Sequence, residues 1–329
     1  MKALFIGGTG NISYACSALA LERGVDLYLL NRGQSVRGIP QGAKILTADI
    51  RDTHKVKAVL GNLDFDVVAE FIGFTPEQIE NDLNLFRGRT AQYIFLSSAS
   101  VYQTPPATLP VRESTLLDNP VWEYSRNKIA CEERLVRAYR EEKFPMTIVR
   151  PSHTYDLTYL PIHGGWTVVD RMLRGLPVIV HGDGTSLWTL THSSDFAKGF
   201  VGLLGNPRAI GEAYHITSDE WLTWNQIYET IALKLGRKAE LVHVPSDLIR
   251  AYDSDWGDSL LGDKSHSFIL DNSKIRQLVP DFVCLTPFSR GIAETLAWHL
   301  ADPSRQVVDE GFNALCERIL TAFDKAWPR

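Results

Sequence analysis

Tyr124 and Lys128 are the two residues of this sequence whose types and spacing best suit proton chemistry. They lie four positions apart in the segment Tyr124–Lys143, whose apolar residues recur at helical spacing, so a helix would place the phenol and the ammonium on one face. A neighbouring cation lowers the pKa of a phenol toward working pH, and such a phenol can exchange a proton with a carbinol or a carbonyl. We therefore expect Tyr124 to be a general acid/base with Lys128 beside it.

A serine-rich segment, Ser97–Tyr102, follows the predicted strand Gln92–Leu96. In a parallel sheet these hydroxyls would lie at the carboxyl edge, where open α/β sheets bind their ligands. One role for the Ser98 hydroxyl at this place is to satisfy backbone groups at the strand end.

A glycine-rich turn, Gly7–Ser13, separates the predicted first strand Ala3–Ile6 from a predicted helix Ser13–Arg23. Small residues in such a turn let the backbone approach a pyrophosphate at the positive end of a helix. Ser13 stands where the usual pattern has a third glycine, and a purely structural turn is the competing interpretation. The pattern predicts a dinucleotide site whose contacts are Gly7, Thr9, Gly10, Asn11 and Ile12.

The residues after the second predicted strand, Asp26–Leu30, bear on which dinucleotide binds. An acid that binds the adenosine ribose usually ends this strand, whereas this sequence has Asn31 and Arg32. Without the acid a 2′-phosphate meets no repulsion, and a guanidinium can pair with it. The pattern favours NADP over NAD, with a solvated surface side chain as the alternative role for Arg32.

Asp49 and Ile50 follow the third predicted strand, Lys44–Thr47. There they could hold the amine and the face of an adenine ring. Asp49 could equally be the N-cap of a helix that begins at Thr53.

The elements that must position these residues alternate between strands and helices. Such alternation predicts a doubly wound, parallel Rossmann-type sheet. After Pro151 the elements are shorter and broken by glycine and proline, which predicts a smaller, interleaved α/β substrate lobe. We expect residues 1–155 to form the NAD(P)-binding domain, completed by about 190–216, and residues 156–189 and 217–329 to form the substrate lobe and C-terminal helices. The predicted strands are Ala3–Ile6, Asp26–Leu30, Lys44–Thr47, Val67–Phe71, Gln92–Leu96, Met146–Val149 and Glu212–Ile216, and the predicted helices are Ser13–Arg23, Thr53–Leu60, Pro76–Phe86, Tyr124–Lys143 and Asp195–Leu204.

Composition narrows the class of protein. The 329 residues carry a net charge of −5, with 44% hydrophobic and 22% charged residues, which is typical of a packed globular protein. The net negative charge disfavours binding to nucleic-acid phosphates or to anionic lipid, so we expect no nucleic-acid and no membrane partner. Four scattered cysteines without paired spacing, and a start at Met1-Lys2 without a signal-peptide pattern, favour reduced thiols, no metal site and a cytoplasmic protein.

Taken in order, these motifs resemble the extended short-chain dehydrogenase/reductases, the superfamily of the NAD-dependent epimerases and dehydratases that act on nucleotide sugars. The resemblance covers at least residues 3–300. It rests on Gly7–Ser13, Ser97–Tyr102, Tyr124 with Lys128, Arg150-Pro151, Gly182–Thr185, His192–Asp195 and Asp271–Lys274.

The resemblance implies catalytic roles for three residues. Ser98 corresponds to the hydroxyl that binds the reacting oxygen, Tyr124 to the acid/base and Lys128 to the anchor of the nicotinamide ribose. Ala99 and Ser100 stand beside the substrate, where the dehydratases of this family carry acids. Dehydration is therefore disfavoured.

Two further positions concern the substrate. His153 falls where relatives often place a polar substrate contact, although a structural histidine is an equal alternative. Trp188 stands near the place where many relatives have an arginine that binds a nucleotide diphosphate, and an indole cannot replace such a bidentate ligand. Trp166, Trp188, Trp221, Trp224 and Trp256 could stack on a sugar face or pack in the lobe.

Three functions follow as hypotheses. The first is an NAD(P)-dependent epimerase of a sugar, possibly a nucleotide sugar, which acts through a transient keto intermediate. The second is a net dehydrogenase or reductase of a polyol, modified sugar or other small carbonyl compound. The third is a non-catalytic cofactor- or RNA-binding relative. The expected partner is a small, sugar-like substrate, and the protein could be a homodimer.

Overall fold

The computed structural model describes residues 1–34 and 37–326. Its strands are β1 (Lys2–Ile6), β2 (Asp26–Asn31), β3 (Lys44–Thr47), β4 (Phe65–Glu70), β5 (Thr90–Leu96), β6 (Met146–Pro151), β7 (His153–Tyr155), β8 (Val178–His181), β9 (Leu187–Trp188), β10 (Leu190–His192), β11 (Ala213–Ile216), β12 (Leu222–Thr223) and β13 (Leu241–Val244). Its helices are α1 (Asn11–Glu22), α2 (Thr53–Leu60), α3 (Pro76–Phe86), α4 (Glu123–Glu142), α5 (Trp166–Leu173), α6 (Ser193–Leu203), α7 (Trp224–Lys234), α8 (Ser246–Tyr252), α9 (Ser254–Ser259), α10 (Ser273–Leu278), α11 (Phe288–Leu300) and α12 (Glu310–Ala326).

Seven parallel strands form the central sheet in the order β11-β6-β5-β4-β1-β2-β3. Its central strands are mostly apolar and buried because both faces are covered by helices. In β1, Ala3 and Phe5 pack in a cluster with α1 and α6, whereas Leu4 and Ile6 pack with α2, α3 and α4. The sheet is therefore doubly wound, as the sequence predicted, and its strand order reverses between β1 and β4.

The predicted elements recur with small differences in their bounds. The helices Thr53–Leu60 and Pro76–Phe86 have the predicted ends, whereas α1 begins at Asn11 and α6 at Ser193, each two residues before its predicted start. In α6 the extra residues, Ser193 and Ser194, are polar and carry no apolar periodicity, so the hydrophobic pattern does not detect them. In α1 they are Asn11 and Ile12, which the sequence assigned to the glycine-rich turn.

The second part of the molecule is built from short strand pairs, β7 with β10, β8 with β13 and β9 with β12, packed against α5, α7 and α11. Between these pairs the chain returns to the main sheet through α6 and β11, and β11 pairs with β6. This is the interleaved arrangement of a Rossmann-type sheet and a smaller α/β lobe. We propose that the lobe comprises residues 156–189 and 217–329. Within the described ranges, no helix has both the length and the apolar character needed to cross a membrane.

A buried ion pair joins the sheet to α4. The Arg150 guanidinium donates to both carboxylate oxygens of Glu132, from Nε at 3.0 Å and from Nη2 at 2.5 Å. Its Nη1 donates to the Tyr102 hydroxyl at 2.7 Å, and the same hydroxyl contacts Nε2 of the buried His215. Since α4 carries Tyr124 and Lys128, this network fixes their helix against β6.

Candidate active site

A cleft of about 800 Å³ lies over the carboxyl edge of the sheet. Its floor comes from the residues that follow β1, β4, β5 and β6, and its roof comes from the second part of the molecule. This is the place where open α/β sheets bind ligands, outside the strand ends and next to the reversal of strand order. The predicted site residues that line the cleft are Asn11, Ile12, Ser98, Ala99, Ser100, Tyr124, Lys128, His153 and Trp188.

The turn after β1 is fixed by Gly7 and Ser13. Gly7 has φ of +80°, and a Cβ there would lie 2.6 Å from Cγ2 of Ile72. The Ser13 hydroxyl accepts from the Gly10 amide at 2.8 Å and donates to the Gly7 carbonyl at 2.5 Å. The serine at the place of the third glycine thus holds the turn in shape with hydrogen bonds.

Asn11 and Ile12 form the first turn of α1. The Asn11 side chain donates to the Thr154 carbonyl at 3.0 Å and accepts from the Ser193 hydroxyl at 3.3 Å, so it joins the helix to the second part of the molecule. The side chain is committed to the fold, and what Asn11 offers a ligand is its backbone amide at the positive helix end. Thr9 is buried beneath the turn.

Asn31 and Arg32 end β2, and Asp49 and Ile50 follow the neighbouring β3. Arg32 is exposed and Ile50 is buried. The cap of α2 is Asp52, whose carboxylate accepts from the Lys55 amide at 3.0 Å. Asp49 accepts from the Arg51 amide instead, so the alternative interpretation of Asp49 as the N-cap is wrong.

Arg37 is a residue of this region that sequence reasoning missed. Its guanidinium donates to the Gly10 carbonyl at 3.2 Å and pairs with Asp156 and Thr158, which follow β7. It therefore places a cation beside the glycine turn. Its side-chain partners Asp156 and Thr158 lie more than a hundred positions away, and the local sequence carries no sign of them.

A dinucleotide fits this end of the cleft. The left-handed Gly7 and the tight space around it keep the turn free of side chains, and the first amides of α1 face the same edge. Of the residues predicted to hold it, Asn11, Ile12 and Lys128 line the cleft. We propose that Gly7, Thr9, Gly10, Asn11 and Ile12 would lie at the pyrophosphate, Asn31, Arg32, Asp49 and Ile50 at the adenosine, and Lys128 at the second ribose.

Ser98 and Tyr124 meet at the centre of the cleft, where the two side chains are hydrogen-bonded. The Ser98 hydroxyl also lies 2.9 Å from that of Ser100, which accepts from the Ser125 hydroxyl at 2.8 Å. Ser100 is buried behind Ser98, so it orients that hydroxyl. The chain of hydroxyls ends at the phenol.

Lys128 lies one turn further along α4 and is 2% exposed. Its ammonium donates to the carbonyls of Gly73 and Leu96, each at 2.7 Å, and lies 5.8 Å from the centre of the Tyr124 ring. Burial lowers the pKa of Lys128 to about 8, although Cys131, Glu70 and Glu132 oppose this shift. The two residues share a helix face, as their spacing predicted.

The pKa of Tyr124 differs from the expectation that a cation would lower it. Burial raises this pKa to about 12, and the hydrogen bond from Ser98 opposes the rise. The expectation was wrong because the desolvation of the phenol outweighs its neighbours. At neutral pH the phenol is protonated and suited to donate a proton.

His153 and Trp188 contact each other in the far half of the cleft. The Trp188 indole N–H points to Nδ1 of His153 at 3.3 Å, and burial lowers the pKa of His153 to about 3. The histidine is therefore a neutral acceptor, and the indole N–H is occupied. The Trp188 ring lies beside the Trp224 ring, with 5.5 Å between their centres, and both rings line the cleft. A ligand there would meet aromatic surface.

Other lining residues of this half come from segments to which the sequence analysis gave no role in the site. These residues are far apart in the sequence and come together only in the folded structure, where α9 and the segment Leu260–Lys264 line the cleft. No sequence motif therefore connects them. Trp224 and Trp256 line it as well, whereas Trp166 packs on His299 and Trp221 is exposed. The additional residues are Trp122, His163, Asp253, Asp255, Asp263 and Lys264. Within the described ranges, no group of histidine, cysteine and acidic residues is arranged to hold a metal ion.

This fold and this cleft define an NAD(P)-dependent enzyme of the extended short-chain dehydrogenase/reductase type. The chain belongs to the NAD dependent epimerase/dehydratase family, whose sequence profile matches residues 3–217.

Similar proteins include a 2′-dehydrokanamycin reductase of Streptomyces kanamyceticus, 25% identical over 75% of this chain and 70% of that protein. A chloroplast stem-loop binding protein of 41 kDa from Arabidopsis thaliana is 30% identical over 74% of this chain, and the matched region spans 65% of that relative's length. A UDP-glucuronic acid 4-epimerase of Bacillus cereus, solved with NAD, has a TM-score of 0.72 and 19% identity, with 92% of this chain and 99% of that chain covered.

Proposed function

We propose that this enzyme reduces a ketone on a sugar-like substrate to a secondary alcohol. The observation that carries the proposal is the contact of Tyr124 with Ser98 inside the cleft, one helical turn from a buried Lys128. A bound nicotinamide supplies the hydride in this chemistry.

The residues of the chain handle the proton and the oxygen. Ser98 binds the carbonyl oxygen, and Ser100 behind it keeps the Ser98 hydroxyl in place. As the carbonyl carbon is reduced, Tyr124 transfers its proton to the developing alkoxide. Lys128 holds the ribose, and its positive charge, 5.8 Å from the phenol ring centre, stabilises the phenolate that remains.

The direction of the reaction is proposed from the relative named 2′-dehydrokanamycin reductase. In this direction Tyr124, whose pKa burial raises to about 12, is the proton donor.

Epimerisation is the second candidate, and the family description supports it. An epimerase of this type must present the second face of the keto intermediate to the nicotinamide, so it must hold the substrate firmly by another part. Among the described residues that line the cleft none is an arginine that could grip a diphosphate, and Trp188 stands near the expected position. We therefore place epimerisation second.

Net turnover of the cofactor distinguishes the two candidates. The purified enzyme would be assayed with NADPH, NADH and a panel of keto-sugars, and both dinucleotide absorbance and products would be followed. We expect one mole of dinucleotide to be oxidised for each alcohol formed. Conversion between sugar stereoisomers without net absorbance change, by enzyme that retains oxidised cofactor through dialysis, would replace the proposal by epimerisation.

The similarity to a stem-loop binding protein raises a non-catalytic alternative. The net charge of −5 opposes it, because nucleic-acid binding relies on basic surface. We expect no salt-dependent shift of an RNA stem-loop in a gel. A shift that weakens steeply with salt, with no dinucleotide turnover, would favour the binding role.

A further inference from the structure

The buried ammonium of Lys128 makes its hydrogen bonds to neutral groups. It donates to the carbonyls of Gly73 and Leu96, each at 2.7 Å. It also lies over the rings of Phe74 and Phe95, at 4.9 and 4.7 Å from their centres. A buried cation is costly unless an anion lies close to it. The surroundings of Lys128 must therefore supply a counter-ion.

The ionisable groups on the same helix do not provide a free negative charge at neutral pH. Tyr124 and Cys131 are uncharged, because burial raises the pKa of each to about 12. The charge of Glu132 is balanced by Arg150, whose guanidinium donates to both of its carboxylate oxygens. The counter-ion of Lys128 must come from another element.

Two buried carboxyl groups, those of Glu70 and Asp82, face Lys128 from β4 and α3. They are 2% and 1% exposed. Glu70 and Lys128 act on each other through charge, and each favours the ionised form of the other. Two further charged groups lie on this side, Glu77 facing Cys131 and Arg51 beside the two acids. Both are exposed, so solvent screens their charges.

The contact between the two carboxyl groups requires a proton. The side chains of Glu70 and Asp82 lie within hydrogen-bonding reach of each other, and an ionised carboxyl group can only accept. Oδ2 of Asp82 accepts from the Tyr93 hydroxyl at 2.6 Å, whereas its buried Oδ1 has no N–H or O–H partner among the described residues. Burial raises the pKa of both acids. A protonated carboxyl group at Glu70 would satisfy Asp82.

We propose that Glu70 and Asp82 hold one proton between them, and that the single negative charge left on the pair is the counter-ion that keeps Lys128 protonated. The backbone links them as well, because Glu70 accepts from the Ile72 amide and the adjoining Gly73 carbonyl accepts from the ammonium. Both acids are positioning residues that act through Lys128. Their effect on catalysis rests on the proposed function, whereas the charge of Lys128 is measurable without a substrate.

Amide variants distinguish a shared proton from two independent acids. In Glu70→Gln the new amide donates to Asp82, which stays ionised, and in Asp82→Asn the new amide donates to Glu70. Each single variant therefore retains one negative charge, and only Glu70→Gln/Asp82→Asn loses it. Glu133→Gln/Asp247→Asn removes two exposed charges elsewhere and is the matched control.

NMR titration of the full chain, labelled with carbon-13 at Cε of lysine, measures the charge of Lys128. Its signal is the one that Lys128→Ala removes. The midpoint should lie near pH 8 in the unmodified protein, and both single variants and the control should titrate close to it. In the double variant the midpoint should fall by about 1–3 pH units, the usual effect of losing one nearby opposite charge.

Infrared difference spectra test the shared proton with the single variants alone, so this result does not depend on the folding of the double variant. At neutral pH the unmodified protein should absorb as a protonated carboxyl group at this site. Both Glu70→Gln and Asp82→Asn should lack that band, because the carboxyl group that remains is ionised. A band that persists in either single variant would contradict the shared proton.

The outcomes separate this inference from the proposed function. An unchanged midpoint for Lys128 in the double variant would overturn the inference, even if ketone reduction is observed. A single variant that lowers the midpoint as far as the double variant would also overturn it, because the charge would then belong to one acid. A midpoint that falls only in the double variant would support the inference, even if reduction is not observed.

Discussion

The two ends of the cleft present a ligand with different parts of the polypeptide. At the cofactor end the surface is largely backbone, formed by the turn Gly7–Ser13 and the first amides of α1. At the substrate end it is formed by side chains, with tryptophans, carboxylates and neutral histidines brought from several segments. The cofactor end is formed by one short continuous stretch of chain, whereas the substrate end is formed by residues from several separate segments.

We propose that the difference determines where substrate specificity resides. A surface made of backbone amides suits a pyrophosphate, which every dinucleotide carries, so it does not depend on the substrate. The side chains of the substrate end can be substituted one at a time without changing the turn Gly7–Ser13. Tyr124, Ser98 and Lys128 lie where the two surfaces meet, and we propose that they act at the place where a hydride would pass from cofactor to substrate.

The largest effect at this junction is expected from Lys128→Ala. The variant should lower kcat/KM by about 10²-fold, the scale of one positioned acid/base contribution, and it should also weaken dinucleotide binding, because the ammonium serves both phenol and ribose. Titration of cofactor fluorescence and steady-state kinetics measure the two effects. Lys234→Ala, an exposed lysine at the end of α7, is the control.

The pH profile of the unmodified enzyme adds an independent test of Lys128. Burial lowers its pKa to about 8, so the charged form is present below that pH and is lost above it. We expect kcat/KM for reduction to fall as pH rises through about 8. A flat profile from pH 7 to about 9.5 would show that the ammonium charge is not needed.

The cofactor end is tested more selectively by Gly7→Ala. A Cβ there would lie 2.6 Å from Ile72 and would add backbone strain of about 1–3 kcal/mol at a φ of +80°. Dinucleotide affinity should fall at least about tenfold. Gly24→Ala has nearly the same φ, +78°, with no atom near its Cβ, so it should lose stability but keep affinity. Equal affinity losses in both variants would show that general destabilisation is the cause.

The smallest expected effect concerns the choice between the two dinucleotides. If Arg32 binds the 2′-phosphate, NADP should bind more tightly than NAD, and Arg32→Ala should remove about tenfold of that preference. Arg237→Ala is a control at another exposed arginine. Calorimetry that finds a clear preference for NAD in the unmodified protein would contradict this role.

The sequence predicted most of the sheet because its signals are local. Apolar runs, glycine turns and i, i+4 spacing place Gly7, Tyr124 and Lys128 without knowledge of distant contacts. The pKa of Tyr124 was predicted with the wrong sign because burial is a property of the packed structure. Arg37 and the carboxylates around Asp255 were missed for a related reason, since their neighbours come from remote parts of the chain.

Hydride transfer in a single turnover tests the central claim most directly. Enzyme loaded with C4-deuterated cofactor would be mixed with the ketone substrate, and deuterium at the product carbinol carbon would be followed by mass spectrometry. For Tyr124→Phe we predict transfer at least about 10²-fold slower with unchanged dinucleotide affinity, whereas Tyr139→Phe, an exposed tyrosine on the same helix, should match the unmodified enzyme. Transfer at the normal rate in Tyr124→Phe would contradict the account of this site.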